Sequence, residues 1–360
     1  FEKDNRMPQS LDDMSYTEFD PQQMSERILE LPTQLRDAWD IAQRAPLPDA
    51  YREIRHLVVV GMGGSAIGGD LLGGLMDRAG SVPVTVVRGY DLPPYVAGDA
   101  TLVVGSSYSG STEETLSCFE QARDQGARLL AMTGGGPIAE IAEQAGAPVW
   151  RFSYDAQPRA ALGYSFTLLL GLAGRLDVLP DAGADLQATA DLLEEMQSAL
   201  LPATPTDENP AKQLARDLHG KLPAIFGSGF LAPVARRWKG QFNENAKQWG
   251  LWDELPELNH NLVVGLARPQ EVSARMAAIF LRSKLDQPRV KTRWQVTEEL
   301  FERNDIPVHA LDGRGDSALA QMFSLIHLGD YVSYYTAALN GEDPTPVSNI
   351  AYLKQRLAES

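Results

Sequence analysis

Cysteine is almost absent from this chain: of 360 residues only Cys118 carries a thiol. A single cysteine closes no intramolecular disulfide, which points to a reducing compartment. Histidine is scarce as well, five in all. The histidines, the cysteine and the carboxylates nowhere fall at metal-ligand spacing, so no metal is expected. No apolar run reaches the ~18 residues of a membrane-spanning helix, and the opening FEKDNRMPQS has no apolar stretch of a secretion signal. Basic residues are outnumbered, 32 Lys and Arg against 48 Asp and Glu, for a net charge of −16. Such an acidic surface argues against nucleic acid or an anionic membrane as partner. It also means that an anionic substrate needs a local positive site. The expectation is a soluble cytoplasmic protein that handles a small molecule.

What is present is length and alternation. The chain suits two domains rather than one. Residues 9–45 read as helical, with Pro32 marking a break or a restart. HLVVVGMGGSAIGGDLLGGLM, PVTVVRGY, ATLVVGSSYSGSTEETLSCFEQARDQGA and RLLAMTGGGPIAEIAEQAGAPVW then alternate apolar β-branched runs with helical stretches. That pattern is a parallel sheet covered by helices on both faces. Two helical segments and the proline-containing stretch LPATPTDENP follow, the latter read as a linker. From KLPAIFGSGF onward the theme returns, with HNLVVGL, RMAAIFLRS and IPVHAL as strands; AIFGSG echoes VVVGMGGS. The division expected is a helical segment 1–45, a first domain 46–200, a linker 201–211, a second domain 212–345 and a terminal helix 346–360.

Three motifs carry chemistry. GMGGSAIGGD follows a strand and opens a helix, so its N–H groups and the Ser65 hydroxyl can hold a phosphate or a sugar hydroxyl. Gly61, Gly63 and Ala66 also fit a dinucleotide fingerprint. The acidic residue such a site wants at the end of the next strand is replaced by Arg88, with Asp91 further out. A plain tight turn is the third reading. GSSYSGSTEETL gathers Ser107, Ser109, Thr112 and Gly110 in one loop. A helix cap explains one hydroxyl there, and a phosphate nest explains the cluster. The loop lacks the second glycine of a GxSxG nucleophile elbow. In NENAKQWGLWDELPELNHNLVVG, Glu244 lies on a helix and His260 stands between two asparagines in a loop. A carboxylate base with a histidine acid is what ring opening and enediol chemistry require.

Together GMGGS, SYSGST, PRAALGYS, NENAK, ELPELNHN and the tail SLIHLGDYVSYYTAALNGEDPTPVSNIAYLKQRL resemble the bifunctional phosphoglucose/phosphomannose isomerase family of the sugar-isomerase (SIS) superfamily. The match runs in order over nearly the whole chain. It implies an α/β fold of two SIS-type αβα sandwich domains with five-stranded parallel sheets, plus N-terminal and C-terminal helices. It further implies cofactor-free interconversion of glucose 6-phosphate, and of mannose 6-phosphate, with fructose 6-phosphate. Carried over residue by residue, Gly64, Ser65, Ser107, Ser109 and Thr112 hold the substrate, the hydroxyls on phosphate. Arg159 lies by the reacting carbons. Glu244 shuttles the proton between C1 and C2. His260 opens the ring and reaches the site from the other subunit of a homodimer. Lys354 is the active-site lysine, and Thr345 lies near the family's threonine. The family pattern has a glutamate after NHN where this chain has Leu262. The tryptophans and leucines of WGLWDELPELNHN suit a subunit interface, or packing within their own domain. Two other classes stand beside this reading. One is a non-catalytic sugar-phosphate sensor, which needs neither Glu244 nor His260. The other is a nicotinamide-dependent dehydrogenase built on Gly61–Ala66. SIS-type regulators join a DNA-binding helix-turn-helix, and no basic recognition helix precedes the first strand.

Overall fold

The structure is a computed structural model that describes residues 10–359. The first nine residues, with the stretch read for a secretion signal, and Ser360 lie outside the described residues. Helices α1 (Tyr16–Phe19), α2 (Met24–Leu29) and α3 (Leu31–Arg44) come first. Pro32 restarts the helix in the first turn of α3, where its missing N–H costs no hydrogen bond. The first sheet unit runs β1 (His56–Val60), α4 (Gly63–Ala79), β2 (Val84–Val87), β3 (Thr101–Ser106), α5 (Glu113–Asp124), β4 (Arg128–Thr133), α6 (Pro137–Gln144) and β5 (Val149–Arg151). All pairings are parallel, in the order β2-β1-β3-β4-β5, with Val58 opposite Val103 and Val103 opposite Leu129. β3 is buried along its whole length, which explains its run of apolar residues without polar alternation.

Helices α7 (Leu162–Arg175) and α8 (Gly183–Leu200) lead to the stretch read as a linker. There Asn209 Oδ1 accepts the N–H groups of Ala211 and Lys212, and Pro210 opens α9 (Pro210–Leu218). The second unit follows: β6 (Leu222–Ser228), α10 (Ala232–Glu244), β7 (Leu251–Leu255), α11 (Gln270–Ser273), β8 (Met276–Arg282), α12 (Pro288–Glu302), β9 (Val308–Asp312), α13 (Ala318–Asn340) and α14 (Ser348–Ala358). The fold class is the expected one. The second sheet, however, has four strands rather than five, in the order β7-β6-β8-β9. HNLVVGL is not a strand. It forms 3-10 turns, Glu257–His260 and Leu262–Val264, because β7 already occupies the edge of β6, and Val264 is left 85% exposed. β7, whose residues lie mostly open on that edge, has no apolar pattern by which the sequence identifies it.

α7 and α13 are buried on nearly every side, as a helix at the centre of a molecule must be, and α13 carries buried polar residues among its apolar ones. Phe166 of α7 meets Phe323 of α13 at 4.9 Å between ring centroids, so one core joins the two halves. α14 is the opposite case: Ile350, Tyr352 and Leu353 all stand open to solvent.

Candidate active site

In a sheet of order β2-β1-β3-β4-β5 the connections leave β1 and β3 in opposite directions, which opens a crevice at their carboxyl ends. Both glycine- and hydroxyl-rich loops lie there. The loops touch: a Cβ at Gly61 would stand 2.8 Å from the Ser106 carbonyl oxygen. Ser107 is buried, and its Oγ meets Thr112 Oγ1 at 3.1 Å. Gly110 holds φ at +68° and presses on the next turn, where a Cβ would come within 1.7 Å of the Gly135 oxygen. No residue but glycine fits. Thr112 occupies the N-cap position of α5 yet makes no side-chain cap bond; its hydroxyl goes to Ser107 instead. The cap therefore does not explain these hydroxyls. Ser109 Oγ accepts from the Ser111 hydroxyl at 3.2 Å, on the exposed side of the loop.

Gly64 carries the site onward. Its backbone abuts the 3-10 turn Pro158–Ala160 so closely that a Cβ would stand 2.6 Å from the Pro158 oxygen. Ser65, nearly buried, opens α4 beside it. Gln34 of α3 holds the same turn, donating to the Ala160 carbonyl at 2.9 Å and accepting from the Gly163 N–H at 3.1 Å. Arg159 on this turn is 3% exposed. Its Nη1 lies 3.5 Å from Oε2 of Glu244, the last residue of α10. Burial depresses the Arg159 pKa and the Glu244 carboxylate works against that shift. A cleft of about 870 Å³ opens on Glu244, Lys247, Trp249, Asp343, Val347 and Ile350. Thr345 gives its carbonyl to Arg159, while its buried Oγ1 finds no partner among the described residues.

Two expected residues do not join this group in the chain. Lys354 is exposed on α14 and makes no hydrogen bond or ion pair with Arg159 or Glu244. His260 is exposed beyond the carboxyl end of β7, whereas Glu244 precedes its amino end. Five strand residues at about 3.3 Å each put roughly 16 Å between the two ends. Asn245, Lys247 and the carbonyl of Pro344 belong to the site and were not singled out in the sequence. Their place in NENAK and DPTPV beside Glu244 and Thr345 is the only signal. Arg88, where a ribose-binding acid would stand, pairs with Asp70 of α4. Among the described residues no three His, Cys, Asp or Glu side chains gather as a metal site would need, and no helix is long and apolar enough to cross a membrane.

A family model described as the bacterial phospho-glucose isomerase C-terminal SIS domain matches residues 207–357. A bifunctional phosphoglucose/phosphomannose isomerase of Caldicellulosiruptor bescii is 41% identical over 337 residues, 93% of this chain and 99% of that protein. One of the same description from Aquifex aeolicus is 35% identical over 84% of this chain and 90% of its own length. In fold the chain is similar to the crystal structure of a hypothetical protein from Thermus thermophilus. The TM-score is 0.70, at 18% identity, covering 95% of this chain and 91% of that one.

Proposed function

Since this chain belongs to the bifunctional phosphoglucose/phosphomannose isomerase family, we propose that it interconverts glucose 6-phosphate and mannose 6-phosphate with fructose 6-phosphate. The observation that carries the reading is the apposition of Arg159 Nη1 and Glu244 Oε2, with Glu244 on the wall of a cleft. The hydroxyl loops lie one residue contact away through Gly64. A sensor would need to bind the phosphate but would not need a carboxylate facing a buried cation. In the proposed reaction the Ser107, Ser109 and Thr112 hydroxyls, with Gly64, Ser65 and Thr345, hold the substrate. His260 assists ring opening. The Glu244 carboxylate takes the C2 proton of the open aldose; the C2–H electrons form the C1=C2 bond, and the carbonyl pair moves onto O1. The enediolate is stabilised by Arg159, with Lys354, in a region of low dielectric. Glu244 then returns the proton to C1 through the C1=C2 electrons, the O2–H electrons form the ketose C2=O2 bond, and the O2 proton passes to O1, which becomes the C1 hydroxyl. No hydride carrier enters this scheme, so activity should survive EDTA dialysis without added nucleotide.

The same reading extends to assembly. A homodimer in which His260 comes from the partner is supported by the sheet's length between His260 and Glu244 in one chain. It is supported also by the exposed apolar residues around the cleft, Trp249 at 82% and Ile350 among them. A division into domains 46–200 and 212–345 is supported by the two sheets, β1–β5 and β6–β9, with helices α1–α3 before the first and α14 after the second. A cytoplasmic location accords with the single, buried cysteine. The direct test is a coupled assay on fructose 6-phosphate with the two aldose phosphates separated. Glu244→Gln should lower kcat by at least about 10²-fold with little change in substrate binding, since a positioned base contributes about 10²–10⁴. Near-parental turnover would remove Glu244 from the chemistry.

A further inference from the structure

A guanidinium has five N–H donors in a rigid fork. In Arg159 three are committed. Nε donates to Asn245 Oδ1 at 2.7 Å, and Nη2 donates to the carbonyls of Pro344 at 2.8 Å and Thr345 at 2.9 Å. Nη1 is what remains, and it is the end that faces Glu244. The Nη2 acceptors are main-chain groups. The Nε acceptor is the one side chain that fixes how the fork is turned. Asn245 is fully buried and directly follows Glu244. Its amide has a set orientation: Nδ2 donates to Ser333 Oγ at 3.0 Å, and Ser333 Oγ donates to the Asp330 carbonyl at 2.8 Å. A flipped amide would turn Nδ2 against the Arg159 Nε–H, donor against donor. The neighbouring Lys247 is a different matter, since its Nζ lies within reach of three backbone carbonyls, those of Glu244, Asn245 and Pro344. It braces the frame through these main-chain groups.

We propose that Asn245, oriented by Ser333, is a positioning residue of the isomerisation: it sets the turn of the Arg159 guanidinium that presents Nη1 to the reacting oxygen beside Glu244. The inference rests on the role proposed above for Arg159. Asn245 itself touches no reacting atom, so its effect must pass through the arginine. The test is a double-mutant cycle in kcat and KM with Asn245→Leu, which keeps the volume and removes the acceptor, and Arg159→Lys. Asn245→Leu should cut kcat by roughly 30- to 100-fold, the scale of a misplacement of about 1 Å, and leave KM within about threefold. On the Arg159→Lys background the same change should cost less than about threefold, because the group it positions is already gone. Ser333→Ala, which frees the amide and leaves Oδ1 in place, should lower kcat about tenfold with the same non-additivity. If Asn245→Leu does not fold, the Ser333 cycle decides. Parental kcat in the folded single variant, or full additivity with an impaired Arg159→Lys enzyme, overturns the role of Asn245 alone. Parental kcat in Arg159→Lys itself would overturn the reading of the arginine, and this inference with it.

Discussion

Ser107 and Thr112 illustrate how much one residue's position says. Their hydroxyls meet at 3.1 Å in a loop whose glycine can be nothing else, and the helix cap that would account for Thr112 is not made. As phosphate ligands they hold a group that does not react. Ser107→Ala with Thr112→Ala should therefore raise KM for fructose 6-phosphate more than it lowers kcat. Unchanged affinity in the double variant would leave the loop a turn and nothing more. At this scale the sequence showed side chains and hid their partners. Arg159, Glu244 and the serines stood out as motif residues. The acceptors that aim Arg159 did not, because two of them are backbone carbonyls, which every residue type carries. The third is an asparagine, legible only as a neighbour of Glu244.

Between elements, α10 and α13 hold the site's cationic end together. Arg237 of α10 donates to both carboxylate oxygens of Asp330 on α13, at 2.8 and 3.0 Å, and Gln241 adds a third bond to that carboxylate. Burial pushes the Asp330 carboxyl up while Arg237 draws it down. Arg237→Met would strand a buried carboxylate and should cost about 3–5 kcal/mol in denaturant unfolding. A variant within about 1 kcal/mol of the parent would mean the pair is not structural. α13 also carries His327, fully buried with neither ring nitrogen partnered among the described residues. Burial lowers its pKa to about 3 against an ordinary 6.5. The unfolded chain therefore binds the extra proton first. The contribution of this group is intact above pH ~6.5 and is lost as pH falls toward 3, at up to about 1.4 kcal/mol per pH unit. His327→Leu should flatten that acid limb of stability; an unchanged limb would assign it to the carboxylates. The elements themselves were legible where they are buried on both faces, as in β1, β3 and β8. β7 was not, since an edge strand open to solvent needs no apolar pattern. HNLVVGL misled because consecutive valines suit a strand only where a free sheet edge awaits them.

For the whole molecule, a shared site makes a prediction that no single-chain site can mimic. Glu244→Gln and His260→Ala, each inactive alone, are mixed and allowed to exchange. With His260 crossing to the partner, each heterodimer has one site with both lesions and one with neither. Random exchange of equal amounts should then recover about a quarter of parental activity. No recovery despite demonstrated exchange would put both residues in one chain's site. The closeness of Glu244 and His260 in sequence gave no warning of their separation in space, which comes from the strand that runs between them. The net charge of −16 was legible at once, and so was Arg159 as a motif residue; that this arginine is buried was not.

The carbonyl of Pro344 accepts from both Arg159 and Lys247. It does so as backbone, so the two bonds themselves draw on no side-chain group at that position. An insertion of one residue just before it would displace the acceptor from both cations at once. At this position the site thus depends on the length of the chain as much as on its letters.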